Sequence, residues 1–266
     1  MIPKEKNDFL GLKIVEINPT ELCNRTCSFC PRSLPNVFPN RNLHMEVSTI
    51  RKLIEDLISH GYKGRLHITG FGEPFLNPNI IEIIKLCSVF KTRITTNGDK
   101  LISDIELFKN VINAGLNNIV VSCYDGKKQV DEVYEFLSGC SIEWSIREYT
   151  DNGTENLYQQ YNFTNRGGLM YDSNPNQRQC FYPFYKAFID YDGTVRLCCN
   201  DWQRKHNLGN ILLDDFYSIW MSDDLKRIRK ELHKGNRMNV ISCSSCDIDG
   251  RQHGKESYDT WINYGI

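Results

Sequence analysis

Through residue 148 the chain switches repeatedly between two hydrophobic periods, and that rhythm limits the folds open to it. The segments KIVEINPT (13–20), RLHIT (65–69), KTRITT (91–96), NNIVVS (117–122) and SIEWSIRE (141–148) read as strands. Helix-like stretches separate them. Over residues 46–60, Ile50, Leu53, Ile54, Leu57 and Ile58 recur on one helical face. IIEIIKLCSVF (80–90) reads as a buried helix, Ser103 and Glu106 form a capping-box pattern before a helix running to Gly115, and 127–138 reads as another helix. Such repetition builds right-handed βαβ crossovers and a parallel sheet, open or curled into a barrel. Five strands are clear, and a sixth is expected at a position the pattern does not mark.

Near residue 150 the rhythm stops. YTDNGTENLYQQYNFTNRGG (149–168) is polar and irregular and reads as a connection. Beyond it AFIDYDGTVRLCC (187–199) predicts a hairpin with Asp192-Gly193 at its turn, and 223–234 predicts a short helix ending at Gly235. The division expected is therefore 1–168 for the α/β part and 169–266 for a smaller module.

Charge narrows the function. Lys and Arg total 32 against 33 Asp and Glu, a net charge of −1, so nothing in the balance calls for nucleic acid or a membrane surface. No apolar run approaches membrane-spanning length and no signal-peptide pattern precedes the first strand, which points to the cytoplasm. In that reducing compartment eleven cysteines are better explained by metal binding or catalysis than by disulfides.

Seven of the eleven fall into two sets. ELCNRTCSFCPR (21–32) carries Cys23, Cys27 and Cys30 in a C-x3-C-x2-C run. A four-iron cluster takes four ligands, so three thiolates leave one iron open. A tetrahedral structural zinc would need a fourth ligand, and no nearby His or Cys supplies it. Cys180 and Cys198 are widely spaced, and Cys243 and Cys246 form a CxxC, so the fold must bring these four together. Their spacing suits either an iron–sulfur cluster or a four-cysteine zinc site. Cys87, Cys123 and Cys140 sit in strand or helix patterns as small core residues, and Cys199 has no assigned role.

The first run, with Phe29 before its last cysteine, resembles the signature of the radical S-adenosylmethionine (SAM) superfamily. The resemblance implies a partial (β/α)6 TIM-type barrel. It also implies a [4Fe-4S] cluster on Cys23, Cys27 and Cys30 whose open iron chelates SAM, which reductive cleavage converts to methionine and a 5′-deoxyadenosyl radical. GFGEP (70–74) is similar to the family's GGEP turn, with Phe71 in place of the second glycine; Gly72 and Glu73 carry over as SAM contacts. TTNG (95–98) resembles a ribose-contacting segment, through Thr96 and Asn97. Ser122, Ser145 and Arg147 occupy strand positions where the family places further SAM contacts, with Phe29 beside the cluster.

The second half resembles the twitch type of auxiliary-cluster module, a hairpin plus helix, with Cys180, Cys198, Cys243 and Cys246 on a second [4Fe-4S] cluster. Within the superfamily, the cysteine spacings, the GEP turn, TNGD and NRGG (165–168) resemble radical SAM dehydrogenases of aminocyclitols. That implies oxidation of a secondary alcohol of a cyclitol, aminocyclitol or sugar to a ketone, the auxiliary cluster accepting an electron. It also implies a flavodoxin- or ferredoxin-type reductant and, at Arg166 of NRGG, a residue that positions the substrate and stabilises charge. Two other readings stand beside it: a peptide-modifying maturase, and a non-catalytic iron–sulfur or zinc protein.

Overall fold

The computed structural model describes residues 9–149, 160–161 and 163–266, so most of the polar connection lies outside the described residues. Five strands follow the reading closely: β1 Ile14–Ile17, β2 Arg65–Ile68, β3 Lys91–Thr96, β4 Asn118–Cys123 and β5 Glu143–Glu148. All pair in parallel, in the order β5-β4-β3-β2-β1. The hairpin forms β6 Lys186–Ile189 and β7 Val195–Arg196, antiparallel to each other. Gly193 makes its turn with φ 81°, and its N–H donates to Asp190 O at 2.9 Å.

The position of β6 was not legible from the sequence. It pairs in parallel with β1, Glu16 opposite Phe188, and thereby becomes the sixth parallel strand of one seven-stranded sheet. The barrel part and the hairpin share this sheet, with β5 and β7 at its edges. Parallel pairing between residues about 170 apart leaves no local trace, whereas an antiparallel hairpin announces itself through its turn.

Helices α1 Val47–Ser59, α2 Ile80–Cys87, α3 Asp99–Ser103, α4 Ile105–Asn113 and α5 Lys127–Leu137 fill the crossovers. On α1, Ile50, Leu53, Ile54 and Leu57 are buried, each contributing roughly 1.5–3 kcal/mol by leaving water. Ile58 departs from the expected face and is 57% exposed. The capping box also shifts: α3 ends at Ser103, and the Asp104 carboxylate accepts from Leu107 N at 3.0 Å to cap α4. A carboxylate at that position suits the positive end of the helix better than a hydroxyl one residue earlier. Further helices are α6 Tyr182–Tyr185, α7 Phe216–Trp220, α8 Asp223–His233 and α9 Lys255–Tyr264. Ser222 caps α8, and Gly235, at φ 79°, follows it as read. Cys87 and Cys123 are buried, and Cys140 packs against the core. Among the described residues, no helix is long and apolar enough to cross a membrane.

Candidate active site

The loops at the C-terminal ends of β1–β5 and the turns after β7 enclose one cleft of about 420 Å³. Strand ends supply its wall because parallel strands deliver all their following loops to the same rim. Cys23, Cys27 and Cys30 lie in it together, on the loop after β1. Asn40 ties that loop, accepting from Cys23 N at 2.9 Å and donating to Cys23 O at 2.8 Å. Arg25 braces it from the other side, donating to Asp99 after β3 and Asp125 after β4.

Of the SAM contacts proposed from the sequence, Phe29, Gly72, Glu73, Thr96, Asn97, Ser122 and Arg147 line the cleft. Ser145 does not: it pairs with Val120, a layer below the Ser122–Arg147 pair, and is exposed. Gly72 is where the β2 turn meets the cysteine loop, and a Cβ there would lie 2.3 Å from Thr20 O. Glu73 acts inside the wall. Its carboxylate accepts from Thr96 Oγ1 at 2.7 Å, Asn97 N at 2.8 Å and Phe75 N at 3.2 Å, which locks the β2 turn to the β3 turn. Burial raises its pKa to about 7 against those three bonds. Asn97 in turn donates to Asn24 Oδ1, beside Cys23, at 2.9 Å.

Phe71 has a structural reason for replacing glycine. It is 2% exposed and packs with Phe38, Phe188 and Trp202, centroid distances running from 4.3 to 5.9 Å. Arg32 donates to its carbonyl at 2.9 Å, which leaves the backbone of the turn in place. Phe29 stacks on Phe163 at 4.3 Å, and Tyr124 and Tyr149 extend this aromatic wall.

Cys180, Cys198, Cys243 and Cys246 come together from three segments. The thiol of Cys198 feels each of the other three, burial pushes all four upward, and Cys246 reaches about 12. Gly250 lets the chain pass over Cys180, since a Cβ there would sit 2.5 Å from Sγ. None of the eleven cysteines forms a disulfide. Buried thiols resist ionisation unless a cation compensates them, so this grouping suits metal-cluster ligands. Among the described residues no three acid, His or Cys side chains converge on a point that would hold a single ion. Cluster ligands bind separate irons and need no such convergence.

NRGG joins the two cysteine sets. Buried Asn165 donates to Ser245 O at 2.6 Å and Ser173 Oγ at 2.8 Å, and its N–H donates to Asp247 at 3.0 Å. Gly167 and Gly168, at φ 69° and 89°, fit where side chains would strike Asn200 O and Ser245. Arg166 is itself left-handed at φ 53°, lies over Phe163 and lines the cleft, with its Nε buried and unpartnered.

The sequence reading missed the floor of the cleft. Lys186 Nζ donates to Glu16 Oε1 at 3.0 Å, meets Cys199 Sγ at 3.4 Å and lies 4.0 Å from the Tyr182 ring centroid. Burial alone would lower the Lys186 pKa, yet Cys199 and Glu16 hold it well above its ordinary value, so it remains a cation. Glu16 Oε2 is buried without a hydrogen-bond partner. The available signal was a charged residue inside an apolar strand, Glu16 between Val15 and Ile17.

Comparison with known proteins agrees with this geometry. A model of the radical SAM superfamily matches residues 17–154, and one of an iron–sulfur cluster-binding domain (SPASM) matches residues 180–247. The S-adenosyl-L-methionine-dependent 2-deoxy-scyllo-inosamine dehydrogenase of Niallia circulans is 28% identical over 255 residues, covering 92% of this chain and 96% of that protein. The crystal structure of BtrN in complex with AdoMet and 2-DOIA superposes with TM-score 0.77 at 25% identity, covering 91% of this chain and 97% of that one. An open conformation of BtrN shares the fold, with TM-score 0.66 over 89% of this chain and 92% of that one, at 22% identity.

Proposed function

The chain belongs to the radical SAM superfamily, as an oxidoreductase using SAM and two iron–sulfur clusters, and on that basis we propose that it dehydrogenates a secondary alcohol of a cyclitol, aminocyclitol or related sugar. One observation carries the reading. A single cleft is bordered by Cys23, Cys27 and Cys30 and also by Tyr182, Cys199 and Ile248, which flank the other cysteine set. A substrate held there lies between the two groups. The division at 168/169 then separates the segment that binds SAM from the one that receives the second electron.

Cys23, Cys27 and Cys30 would hold one cluster, with SAM against Phe29, the Gly72 backbone, Thr96, Asn97, Ser122 and Arg147. Ser145, exposed beneath that layer, would act on it only indirectly. Cys180, Cys198, Cys243 and Cys246 would hold the other. Bound, these groups supply hydrogen-atom abstraction and an electron acceptor. The alcohol must lose a hydrogen atom, a proton and an electron to become a ketone, and the chain handles the proton.

The carboxylates lining the cleft are Glu16 and Glu73, and Glu73 is saturated by its three donors. Glu16 Oε2 is therefore the atom that accepts the carbinol proton, held in place by Lys186 through Oε1. Arg166 offers a rigid fork of donors and no acceptor, which suits it to hold substrate oxygens rather than take a proton. Tyr124, Tyr149 and Phe163 keep that side of the cleft apolar. A small flavodoxin- or ferredoxin-type donor in the cytoplasm would supply the reducing electron.

The test is anaerobic incubation of reconstituted protein with SAM, reductant and 2-deoxy-scyllo-inosamine or a related cyclitol. Ketone and 5′-deoxyadenosine in equal amounts are expected. SAM cleavage with no oxidation of any polyol would overturn the reading.

A further inference from the structure

Arg237 lies in the turn between α8 and Cys243 and is 2% exposed. Each of its hydrogen bonds goes to a main-chain carbonyl. Nε donates to Arg178 O at 2.9 Å, Nη2 to Gln179 O at 3.2 Å and Asp249 O at 3.1 Å, and Nη1 to Ile248 O at 2.6 Å. Arg178 and Gln179 immediately precede Cys180, and Ile248 and Asp249 follow Cys246. The turn continues to Cys243 through Val240 N to Arg237 O at 3.0 Å and Cys243 N to Val240 O at 2.7 Å. One guanidinium thus ties the chain entering Cys180 to the chain leaving Cys246.

Its charge also lies beside the four-cysteine set. The guanidinium bonds the carbonyl of Gln179, directly before Cys180, and that of Ile248, two residues after Cys246. Among the described residues no carboxylate forms an ion pair with it. Acids close to these cysteines in the chain are occupied: Asp201 by the N–H groups of Lys205 and His206, Asp247 by Asn165 N and Tyr171 Oη, and Asp249 by Arg251. Lys186, a buried cation on β6, is paired with Glu16.

We propose that Arg237 is a positioning residue for the auxiliary cluster and that its unpaired charge raises the cluster's reduction potential, making it a better acceptor of the substrate's second electron. Net charge, hydrogen bonding and burial set the potentials of such clusters, and a buried cation favours the more negative, reduced state. Carbonyl partners supply the geometry while leaving the charge uncancelled, an arrangement a carboxylate partner would defeat. The inference rests on these four cysteines holding the electron-accepting cluster.

The experiment compares wild type, Arg237→Lys and Arg237→Gln after anaerobic reconstitution. Iron is counted and each cluster's potential is taken from a redox titration followed by electron paramagnetic resonance, with the three-cysteine cluster as internal control. In Arg237→Gln the auxiliary potential is expected to fall by a tenfold change in the one-electron equilibrium, about 59 mV. Arg237→Lys should stay near wild type, and the control cluster should not move. Loss of the auxiliary cluster in the Gln variant, with the Lys variant loaded at the wild-type potential, would also support a requirement for charge. A loaded Gln variant at the wild-type potential, or equal loss of the cluster from both variants, would overturn the proposal. Absence of a second cluster from the wild type would instead remove the functional reading beneath it.

Discussion

Lys186 Nζ donates to Glu16 Oε1 at 3.0 Å across the seam between β1 and β6, so the first barrel strand and the auxiliary hairpin meet at a buried ion pair. The pair leaves Glu16 Oε2 without a partner at the cleft floor. Glu16→Gln preserves the shape and the bond from Lys186 but removes the basic oxygen. Ketone formation should fall about 100-fold or more, the usual contribution of a positioned base. Cluster loading and uncoupled formation of 5′-deoxyadenosine should persist. Parallel rate and iron assays check this, and turnover within a few-fold of wild type would exclude Glu16 as the proton acceptor.

The two cysteine sets should separate by experiment. Cys30→Ala removes one of the three thiolates in the cleft, and 5′-deoxyadenosine should then fall to background even under strong reductant. The double change Cys243→Ala with Cys246→Ala should leave 5′-deoxyadenosine measurable while ketone drops sharply. Zinc in the anaerobically purified protein, with full ketone formation, would contradict an electron-accepting cluster at the second set.

Arg166 supplies a third prediction. Its left-handed backbone and unpartnered Nε are held by the Asn165 hub and the two glycines that follow. Arg166→Lys keeps the charge and loses the fork. Substrate oxidation should slow strongly, with both clusters and uncoupled SAM cleavage retained. Normal turnover in both Arg166→Lys and Arg166→Ala would count against substrate positioning, and loss of folded, loaded protein would mark a structural part instead.

Phe71→Gly would restore the commoner form of the β2 turn, yet it should destabilise this protein. The ring is buried against Phe38, Phe188 and Trp202, and deleting such a ring from a core costs about 3–5 kcal/mol, with added backbone freedom on top. Urea unfolding of the cluster-loaded protein measures the difference. A change below about 1 kcal/mol would show that the aromatic cluster repacks around the gap.

The residues that spoke through local patterns were legible in the sequence. Alternating periods marked β1–β5, a turn pair marked the β6–β7 hairpin, and close spacing marked Cys23, Cys27 and Cys30. What depended on distant pairing was not. The placement of β6 beside β1 has no local signature, and with it went Lys186, Cys199 and the role of Glu16. Glu73 was legible as a residue of the turn, but only the structure gives its carboxylate three internal donors. Ser145 lay on an expected strand at an unhelpful layer, a matter of one pleat repeat. Ile58 and Ser103 failed by one residue, since a helix face and a cap are each set by details finer than a hydrophobic period.

The most direct test of the account labels the hydrogen itself. 2-Deoxy-scyllo-inosamine and a panel of cyclitols and amino sugars, each deuterated at a ring carbinol carbon, are incubated anaerobically with the reconstituted protein, SAM and reductant. Mass spectrometry of the 5′-deoxyadenosine then reads where its new hydrogen came from. For the substrate that turns over, the account predicts one deuterium transferred per ketone formed, and loss of both products in Cys30→Ala. Ketone formed without deuterium in 5′-deoxyadenosine, or unlabelled 5′-deoxyadenosine with no ketone from any member of the panel, would contradict it.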